Sequence, residues 1–379
     1  MLFTCPARAA RGGGGQAARG GRRHFCIDLH CHVHYPPADE MVKHALTPGG
    51  EPAARFSNAL SRATNQKQMD NVLVCLTSVE QRLRDMDKMG VDVQAISCSP
   101  FQFKYSLDPE LGAKAARAIN EHLAEIVQKH PGRFVALANV PLQAPDAAAA
   151  ELQYCVKTLG FRGVEIGTNV AGAEISRGRD RFWAAVQELD VMVFMHPNGF
   201  TGGERLAEHY FINAIGNPLD STVAIGYLVF DGVLERFPRL KIVAAHGGGY
   251  VSHYPARMDH VWGARADART VLKRTPRQSL AKLYFDTIVF DRAQLRHLVN
   301  LWGADHIVVG TDYPYDMGWY DPRGFVDGCD FLTEADRAKI MGLNAARLLK
   351  ITGRLKSMGS PVATAGPAKR SVAKSRSRT

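Results

Sequence analysis

Short apolar runs alternate with amphipathic segments along most of the chain. Eight runs are rich in Val, Ile, Leu and Ala with few polar residues, and they cover residues 26–30, 91–98, 134–140, 163–167, 191–196, 241–246, 283–290 and 306–310. Such continuous runs are typical of strands in a parallel sheet that is covered by helices on its faces. The pattern therefore predicts eight buried strands.

Helix signals lie between these strands. Ser78 and Gln81 form a capping box before a helix that ends at Gly90, and Asp108-Pro109 opens a helix that runs to Lys129. Further helices are predicted at residues 145–159, 179–189, 218–237 and 333–351. Eight strands that are each followed by a helical segment predict an α/β fold, a distorted (β/α)8 TIM barrel of the metal-dependent hydrolase type.

Two irregular segments interrupt this alternation. Residues 34–77 contain Pro36-Pro37 and Pro48-Gly49-Gly50, which predict a loop or lid after the first strand rather than packed elements. Residues 200–217 contain Gly202-Gly203 and two aromatic residues. Both segments are candidate specificity loops, because variable loops at the rim of a barrel shape its binding site.

The basic charge of the chain is confined to its ends. The formal net charge is +10, yet residues 1–24 carry five basic residues, the segment after Leu355 carries six, and neither contains an acidic residue. Removing these eleven charges from +10 leaves the body at −1, so the body offers no basic surface for nucleic acid. We expect a disordered basic tail at residues 1–24, a barrel at 25–356 and a second disordered basic tail at 357–379.

No apolar run reaches the ~18 residues that a membrane-spanning helix needs. The seven cysteines form no Cys-x-x-Cys pair, so reduced thiols are expected. A cytoplasmic protein without a membrane partner is the prediction.

Candidate metal ligands follow several of the predicted strands. His30 and His32 lie two residues apart and can face the same side of a strand, while His196, His246 and Asp312 end other strands. Two histidines on a strand are more often surface residues, but the carboxyl ends of parallel strands meet at one rim of a barrel. Imidazole and carboxylate suit Zn²⁺ and similar ions, so one divalent metal is predicted.

The motifs around these residues resemble the amidohydrolase superfamily, in the branch of aminocarboxymuconate semialdehyde decarboxylase and related aromatic acid decarboxylases. The resemblance covers nearly all of residues 26–352. It is carried by Asp28-Leu29-His30-Cys31-His32, Gly163-Val164-Glu165-Ile166-Gly167, Met195-His196-Pro197, Ala245-His246-Gly247-Gly248-Gly249 and Gly310-Thr311-Asp312-Tyr313-Pro314.

This resemblance implies that His30, His32, His196 and Asp312 bind one metal, with Zn²⁺ the first expectation and Mn²⁺ the second. It implies catalytic roles for His246, which would hydrogen-bond a water at the metal, and for Asp312. Relatives with two metals hold them through a carbamylated lysine on the fourth strand, where this chain has Glu165. A single metal is therefore expected.

Arginines are the expected partners of a small-molecule carboxylic acid substrate, because their planar fork matches a carboxylate. The resemblance assigns substrate binding to Arg257, which would cross to the neighbouring site of a homodimer, and to Arg265. An arginine after a glycine-rich loop is otherwise more often a surface or ion-pairing residue. The branch also has an arginine shortly before the helix at Ser78, which this chain lacks, and Arg55 or Arg62 could substitute for it.

The expected function is that of a divalent-metal-dependent carboxy-lyase acting on an aromatic or unsaturated acid. The alternative on the same scaffold is a hydrolase of a lactone or amide, or a hydratase. Outside enzyme chemistry, a metal-stabilised barrel that serves as a binding module stays open. Carbon dioxide release, ring opening or neither would separate these three hypotheses.

Overall fold

A computed structural model describes residues 23–46 and 50–351 of the chain. The predicted tails lie outside these residues, apart from Arg23 and His24. Arg23 pairs with Asp92 at 2.9 Å and His24 with Glu334 at 2.8 Å. The chain is therefore already held against the barrel before the first strand begins.

An eight-stranded parallel sheet forms the centre of the fold, in the order β1-β2-β3-β4-β7-β8-β9-β10. The barrel strands are β1 (Ile27–Val33), β2 (Val93–Cys98), β3 (Phe134–Ala138), β4 (Gly163–Gly167), β7 (Met192–His196), β8 (Lys241–Ala244), β9 (Tyr284–Asp286) and β10 (Ile307–Val308), and a small hairpin pairs β5 (Asn169–Val170) with β6 (Ala173–Glu174). The Leu29 N–H donates to the Val309 carbonyl at 2.9 Å, so the last strand returns to the first. The predicted TIM barrel and all eight predicted strands are confirmed.

Alternate residues of these strands pack into two separate apolar clusters. The inner cluster fills the barrel and takes residues such as Val93, Ala95, Met192, Phe194 and Val243. The outer cluster lies between the strands and the helices and takes their neighbours, such as Ile96, Val193 and Ala244. This two-sided burial is what the continuous apolar runs predicted.

A bulge in β1 decides which face His30 and His32 occupy. Ile27 and Leu29 belong to the inner cluster, but Cys31 and Val33 belong to the outer one. The register against β2 shifts between Asp28 and Cys31, which is where the strand changes face. His30 and His32 therefore take the inner positions at the upper part of the barrel.

Sixteen α-helical segments are found among the described residues. They are α1 (Pro36–Val42), α2 (Pro52–Arg55), α3 (Ala59–Thr77), α4 (Val79–Met89), α5 (Pro109–Lys129), α6 (Pro145–Lys157), α7 (Asp180–Leu189), α8 (Phe211–Ala214), α9 (Gly216–Phe230), α10 (Val233–Arg236), α11 (Ala256–Ala264), α12 (Pro276–Leu280), α13 (Arg292–Trp302), α14 (Pro322–Asp327), α15 (Glu334–Ala338) and α16 (Asn344–Leu348).

The structure corrects one loop prediction and two helix predictions. Residues 34–77 were predicted as a loop, yet they form α1, α2 and the 19-residue α3, which is capped by the Asn58 side chain. The predicted helix at 218–237 is divided at Gly232, whose φ of 71° ends one helix before the next begins. The predicted helix at 333–351 contains a π-helical turn at Lys339–Leu343.

The last helix closes the amino end of the barrel. Ala345, Leu348 and Leu349 join the inner cluster, with Phe25 and Ile351 packed against it. The Asn344 side chain donates at 2.8 Å to the carbonyls of Ala304 and of Ile307, the first residue of β10. The amino end is therefore sealed, and the barrel interior is approached from the carboxyl ends of the strands.

Within residues 23–46 and 50–351, none of the helices combines the length and the apolar character needed to cross a bilayer.

Candidate metal centre

The five polar residues predicted from the strand ends meet in one place. His30, His196, His246 and Asp312 each offer one ligand atom, and these atoms all lie within 4.8 Å of one another. The His32 Nε2 atom is 3.2 Å from Asp312 Oδ1, and its ring centre is 4.9 Å from that of His196. The prediction that these residues converge at the rim of the barrel is confirmed geometrically.

Hydrogen bonds fix the orientation of both β1 imidazoles. His30 Nδ1 lies 2.6 Å from the Asp286 carboxylate, and His32 Nδ1 lies 3.2 Å from the Cys98 carbonyl. A carbonyl can only accept, so His32 carries its proton on Nδ1, and the Asp286 carboxylate favours the same tautomer in His30. The Nε2 lone pairs of both rings are then free for another partner, as is usual for metal-binding histidines.

Several of these nitrogens have no hydrogen-bond partner in the described structure. The unpaired buried atoms are Nε2 of His30 and His32, both ring nitrogens of His196 and Nδ1 of His246. Nε2 of His30 and of His32 each lie within 3.3 Å of Asp312 Oδ1 without making a hydrogen bond to it. Buried polar atoms without partners are costly, and a cation between them and Asp312 would satisfy them. The donor set therefore fits one divalent metal.

The pKa shifts of these side chains also favour a positive charge at the centre. Burial works against an imidazolium at His30, yet Asp312 and Asp286 raise its pKa to about 10. Burial lowers the pKa of His196 well below its usual range, so that ring stays neutral. Burial would raise the pKa of Asp312, but His30 and its neighbours hold it well below the usual value. The charge that a proton brings to His30 is the charge that a metal cation would replace.

Asp286 at the end of β9 was missed in the sequence analysis. Besides His30, it accepts hydrogen bonds from the backbone N–H groups of His246 at 3.0 Å and Gly247 at 2.8 Å. It is fully buried. The apolar run of residues 283–290 continues past Asp286, so no strand end marks this residue in the sequence.

The two predicted catalytic residues both have left-handed backbone conformations. His246 has a φ of 55° and Asp312 a φ of 56°. Such values are uncommon outside glycine and persist only where the surroundings impose them. For His246 the surroundings are Asp286 and the following glycines. Its side chain is 15% exposed and its Nε2 lies 3.6 Å from Asp312 Oδ2.

A buried network supports β1 behind the histidines. Asp28 accepts from the Gln94 amide at 2.9 Å and from the Thr311 hydroxyl at 2.7 Å. Arg82, which is 2% exposed, donates to Gln94 and to the His32 carbonyl. The network ties β1 to β2 and to the turn that carries Asp312.

Glu165 is fully buried on the inner face of β4, between Val164 and Ile166 of the outer cluster. Its Oε1 is 3.8 Å from His32 Nδ1, and burial raises its pKa to about 8. The neutral carboxyl is therefore favoured near pH 7. Within residues 23–46 and 50–351, one group of side chains could hold an ion.

The two predicted substrate arginines lie outside this cluster. Arg257 is exposed on α11, and within the described residues its guanidinium has no hydrogen-bond or ion-pair partner. Arg265 is exposed, and its guanidinium donates two hydrogen bonds to the Asp267 carboxylate, at 2.7 and 2.9 Å. The arrangement of one chain does not bring either arginine to the metal centre.

A family model of the amidohydrolases matches residues 27–351, which is the whole barrel. The chain belongs to this family. The amidohydrolase is 31% identical, over 270 residues, to a 2-amino-3-carboxymuconate-6-semialdehyde decarboxylase of Dictyostelium discoideum, with 71% of this chain and 75% of the relative covered. It is 29% identical to a gamma-resorcylate decarboxylase of Rhizobium sp. strain MTP-10005, covering 72% of this chain and 88% of that one.

The amidohydrolase is also similar to a solved dihydroxybenzoic acid decarboxylase from Polaromonas sp. JS666, which contains manganese and the inhibitor 2-nitroresorcinol. The TM-score is 0.73 at 25% identity, and the match covers 87% of this chain and 98% of the other.

Proposed function

We propose that this amidohydrolase is a divalent-metal-dependent carboxy-lyase that decarboxylates an aromatic or unsaturated carboxylic acid without an oxidant. The observation that carries the proposal is the convergence of His30, His196, His246 and Asp312 within 4.8 Å at the open end of the barrel. The similar proteins named above are decarboxylases of such acids, and they support the reaction type.

His30, His32, His196 and Asp312 are the proposed metal ligands. Imidazole and carboxylate donors suit both Zn²⁺ and Mn²⁺. The manganese in the Polaromonas decarboxylase makes Mn²⁺ the first ion to test beside Zn²⁺. When bound, such an ion would polarise the oxygen atoms of a chelating acid.

Proton delivery is assigned to the pair His246 and Asp312. In the reaction the ring or alkene carbon gains a proton, the bond to its carboxylate breaks, and carbon dioxide leaves with no net change of oxidation state in the protein. His246 is the partly exposed member of the pair and faces Asp312 Oδ2 across 3.6 Å. The two groups must approach to about 2.6–3.2 Å before a proton can pass between them. The buried imidazoles around them exclude bulk water from the reacting carbon.

The decisive experiment measures carbon dioxide release from a panel of hydroxybenzoates and carboxymuconates, with Mn²⁺ or Zn²⁺ restored to the protein. His196→Gln should reduce turnover by at least about a thousandfold, because the metal loses a ligand. His260→Ala, which removes an exposed histidine on α11, should leave it unchanged. Ring opening of a lactone without carbon dioxide would contradict the proposal and identify a hydrolase.

We further propose that Arg257 acts in the site of a second copy of the chain, since no partner of its donors is found among residues 23–46 and 50–351. Arg257→Ala and His196→Gln should each be inactive alone. Mixing the two variants under conditions that exchange subunits should restore activity, because some sites then receive both intact residues. Failure of the mixture to regain any turnover would exclude a shared site.

A further inference from the structure

A cavity of about 220 Å³ lies beside the metal centre and is lined by none of its five residues. Asn198 lines it two residues after His196, and Gly167, which pairs with His196 in the sheet, lines it from β4. A ring whose carboxylate lies at the metal centre could therefore extend into this space. The polar groups on the cavity wall then determine which substituents such a ring can carry.

Aromatic side chains form the apolar part of the cavity wall. Phe103 and Tyr105 are stacked, with their ring centres 5.5 Å apart and their planes 10° from parallel. Phe56, at the end of α2, lines the cavity as well, and all three rings are buried. The Tyr105 hydroxyl is fixed, because it accepts from the Gly167 N–H at 3.2 Å. A planar unsaturated ligand fits against such rings.

Glu51 and Asn198 add two acceptor oxygens to this wall. The Asn198 amide nitrogen donates to Glu51 Oε2 at 3.2 Å and lies 3.5 Å from the Pro100 carbonyl. Both neighbours are acceptors, so the nitrogen faces them and Asn198 Oδ1 is left free. Within residues 23–46 and 50–351, neither Asn198 Oδ1 nor Glu51 Oε1 receives a hydrogen bond, and neither atom is shut off from solvent.

Glu51 has no cation as a partner among the described residues. Lys104, whose charge acts on Glu51, is paired with Asp39 at 2.9 Å. Arg55 is exposed where it lines the cavity, and its guanidinium lies over the Phe56 ring. Burial raises the pKa of Glu51 above its usual value, and Lys104 offsets part of this rise. A donor on a ligand would replace the hydrogen bonds to water that burial removes.

The segment that carries Glu51 is packed firmly in place. Glu51 directly precedes α2, and α2 packs against residues 198–217 after β7, which we call the second insertion. Gly199 has a φ of 81°, and a Cβ there would lie 2.6 Å from a backbone nitrogen of α2. A Cβ on Gly203 would lie 2.6 Å from the Phe56 ring. Only glycine fits at these contacts, so the acceptor oxygens are already in position before a ligand binds.

We propose that the Glu51 carboxylate, oriented by Asn198, accepts a hydrogen bond from a hydroxyl or amino substituent of the substrate at the end remote from the reacting carboxylate. The inference rests on the proposed decarboxylase function and adds a specificity-determining residue together with the substituent that it selects. Glu51 contacts the substituent, and Asn198 is a positioning residue. Acids that carry a donor at that end are therefore preferred over acids that carry none.

The test measures equilibrium binding to the metal-loaded protein by calorimetry. The probes are benzoate and its hydroxy, amino and fluoro derivatives at positions 3 and 4, where fluorine gives nearly the shape of the hydroxyl without a donor. Glu51→Ala should weaken binding of at least one hydroxybenzoate or aminobenzoate by about ten- to a hundredfold, since a hydrogen bond to a charged acceptor is lost. Binding of benzoate should not change. The series with the larger loss identifies the substituent as hydroxyl or amino.

Two further variants and a control separate recognition from disturbance of the fold. Glu51 makes no cap hydrogen bond to α2, so its loss leaves the helix intact. Glu51→Gln keeps an uncharged acceptor and should lose only part of the affinity. Asn198→Ala should lower the ratio of hydroxybenzoate to fluorobenzoate affinity several-fold, a ratio that a merely structural role would not change. Glu40→Ala removes an exposed glutamate outside the cavity and should bind every acid as the unaltered protein does.

Equal losses for hydroxybenzoate and fluorobenzoate in Glu51→Ala, or no loss for any acid with a donor, would overturn the inference. If no acid releases carbon dioxide but acids with a donor still bind through Glu51, the decarboxylase function fails and the subsite stands. If carbon dioxide is released while Glu51→Ala binds every acid as the unaltered protein does, the subsite fails and the function stands.

Discussion

Asp286 connects the metal centre to the residue proposed to handle protons. One of its oxygens faces His30 Nδ1 at 2.6 Å, and its carboxylate also accepts from the backbone of His246 and Gly247. Loss of this carboxylate would free the His30 ring to rotate and would relax the left-handed turn at His246. Both a ligand and a catalytic group are therefore positioned by one side chain.

Asp286→Asn should weaken metal binding by about ten- to a hundredfold, the usual effect of removing a partner of a metal-binding histidine. The measurement is competition with a chromophoric chelator. Asp291→Asn is the control, since Asp291 caps α13 five residues away and asparagine caps helices equally well. If Asp286→Asn bound metal with an affinity within twofold of that of the unaltered protein, Asp286 would not position the centre.

At the scale of elements, the bulge in β1 brings the two histidines into the barrel. Strict alternation from Leu29 would place Cys31 and Val33 on the inner face, but both pack outside. Sequence spacing correctly predicted that His30 and His32 share a face. It could not predict which face, because the extra residue of a bulge leaves no mark in an apolar run.

The strands and the polar residues at their ends could be predicted from the sequence. Buried parallel strands are continuous apolar runs, so a histidine or an aspartate at the end of one stands out. Helix α3 was not predictable in this way, because only Ser61 and Leu76 of its 19 residues are buried and no apolar face marks it. The left-handed turns at His246 and Asp312 depend on contacts from other strands, which the local sequence does not contain.

Gly199 tests the packing of α2 against the second insertion. Gly199→Ala should lower the free energy of unfolding by about 2–4 kcal/mol, because a left-handed backbone and a clash with Ala53 are combined. Gly178→Ala has a similar φ of 68° with no atom near the added Cβ, so it should cost only about 1 kcal/mol. Chemical denaturation of both variants gives the difference. Equal losses of unfolding free energy in the two variants would mean that α2 moves away from the added Cβ at little cost.

Helix α1 is anchored by Asp39, which pairs with His34 at 2.7 Å and with Lys104 at 2.9 Å. Burial acts in the opposite direction, but these two partners hold the pKa of Asp39 below its usual value. A lowered folded pKa means that the carboxylate stabilises the fold above the unfolded pKa of about 3.9, and that this contribution is lost as the pH falls through the folded value.

Asp39→Asn should therefore lower the free energy of unfolding by about 1–2 kcal/mol at pH 7, with the difference shrinking below about pH 4. Glu40→Gln on the same helix removes only an exposed pair with Lys43 and should change stability little at either pH. Denaturant titrations at pH 7 and at about pH 2.5, below the unfolded pKa, provide the comparison. A loss in Asp39→Asn that is the same at both pH values would rule out the ionic contribution.

For the whole molecule, metal binding should be linked to stability because the ligands come from β1, β7 and the segment after β10. Removal of the metal by a chelator should lower the melting temperature by about 10 °C, as expected for an ion held at a thousand times its dissociation constant. Mn²⁺ or Zn²⁺ should restore it. His196→Gln should show little response to either treatment, whereas His260→Ala should respond as the unaltered protein does. If the melting temperature of His196→Gln changed as much as that of the unaltered protein, the ion would be bound elsewhere.

The two ends of the described chain both lie at the sealed floor of the barrel, where Phe25 and Ile351 pack against the same cluster. A linker joined at residue 23 or at residue 351 would thus begin on the face of the barrel opposite its open mouth. A support attached at either of these two residues would leave the open mouth exposed to the surrounding medium.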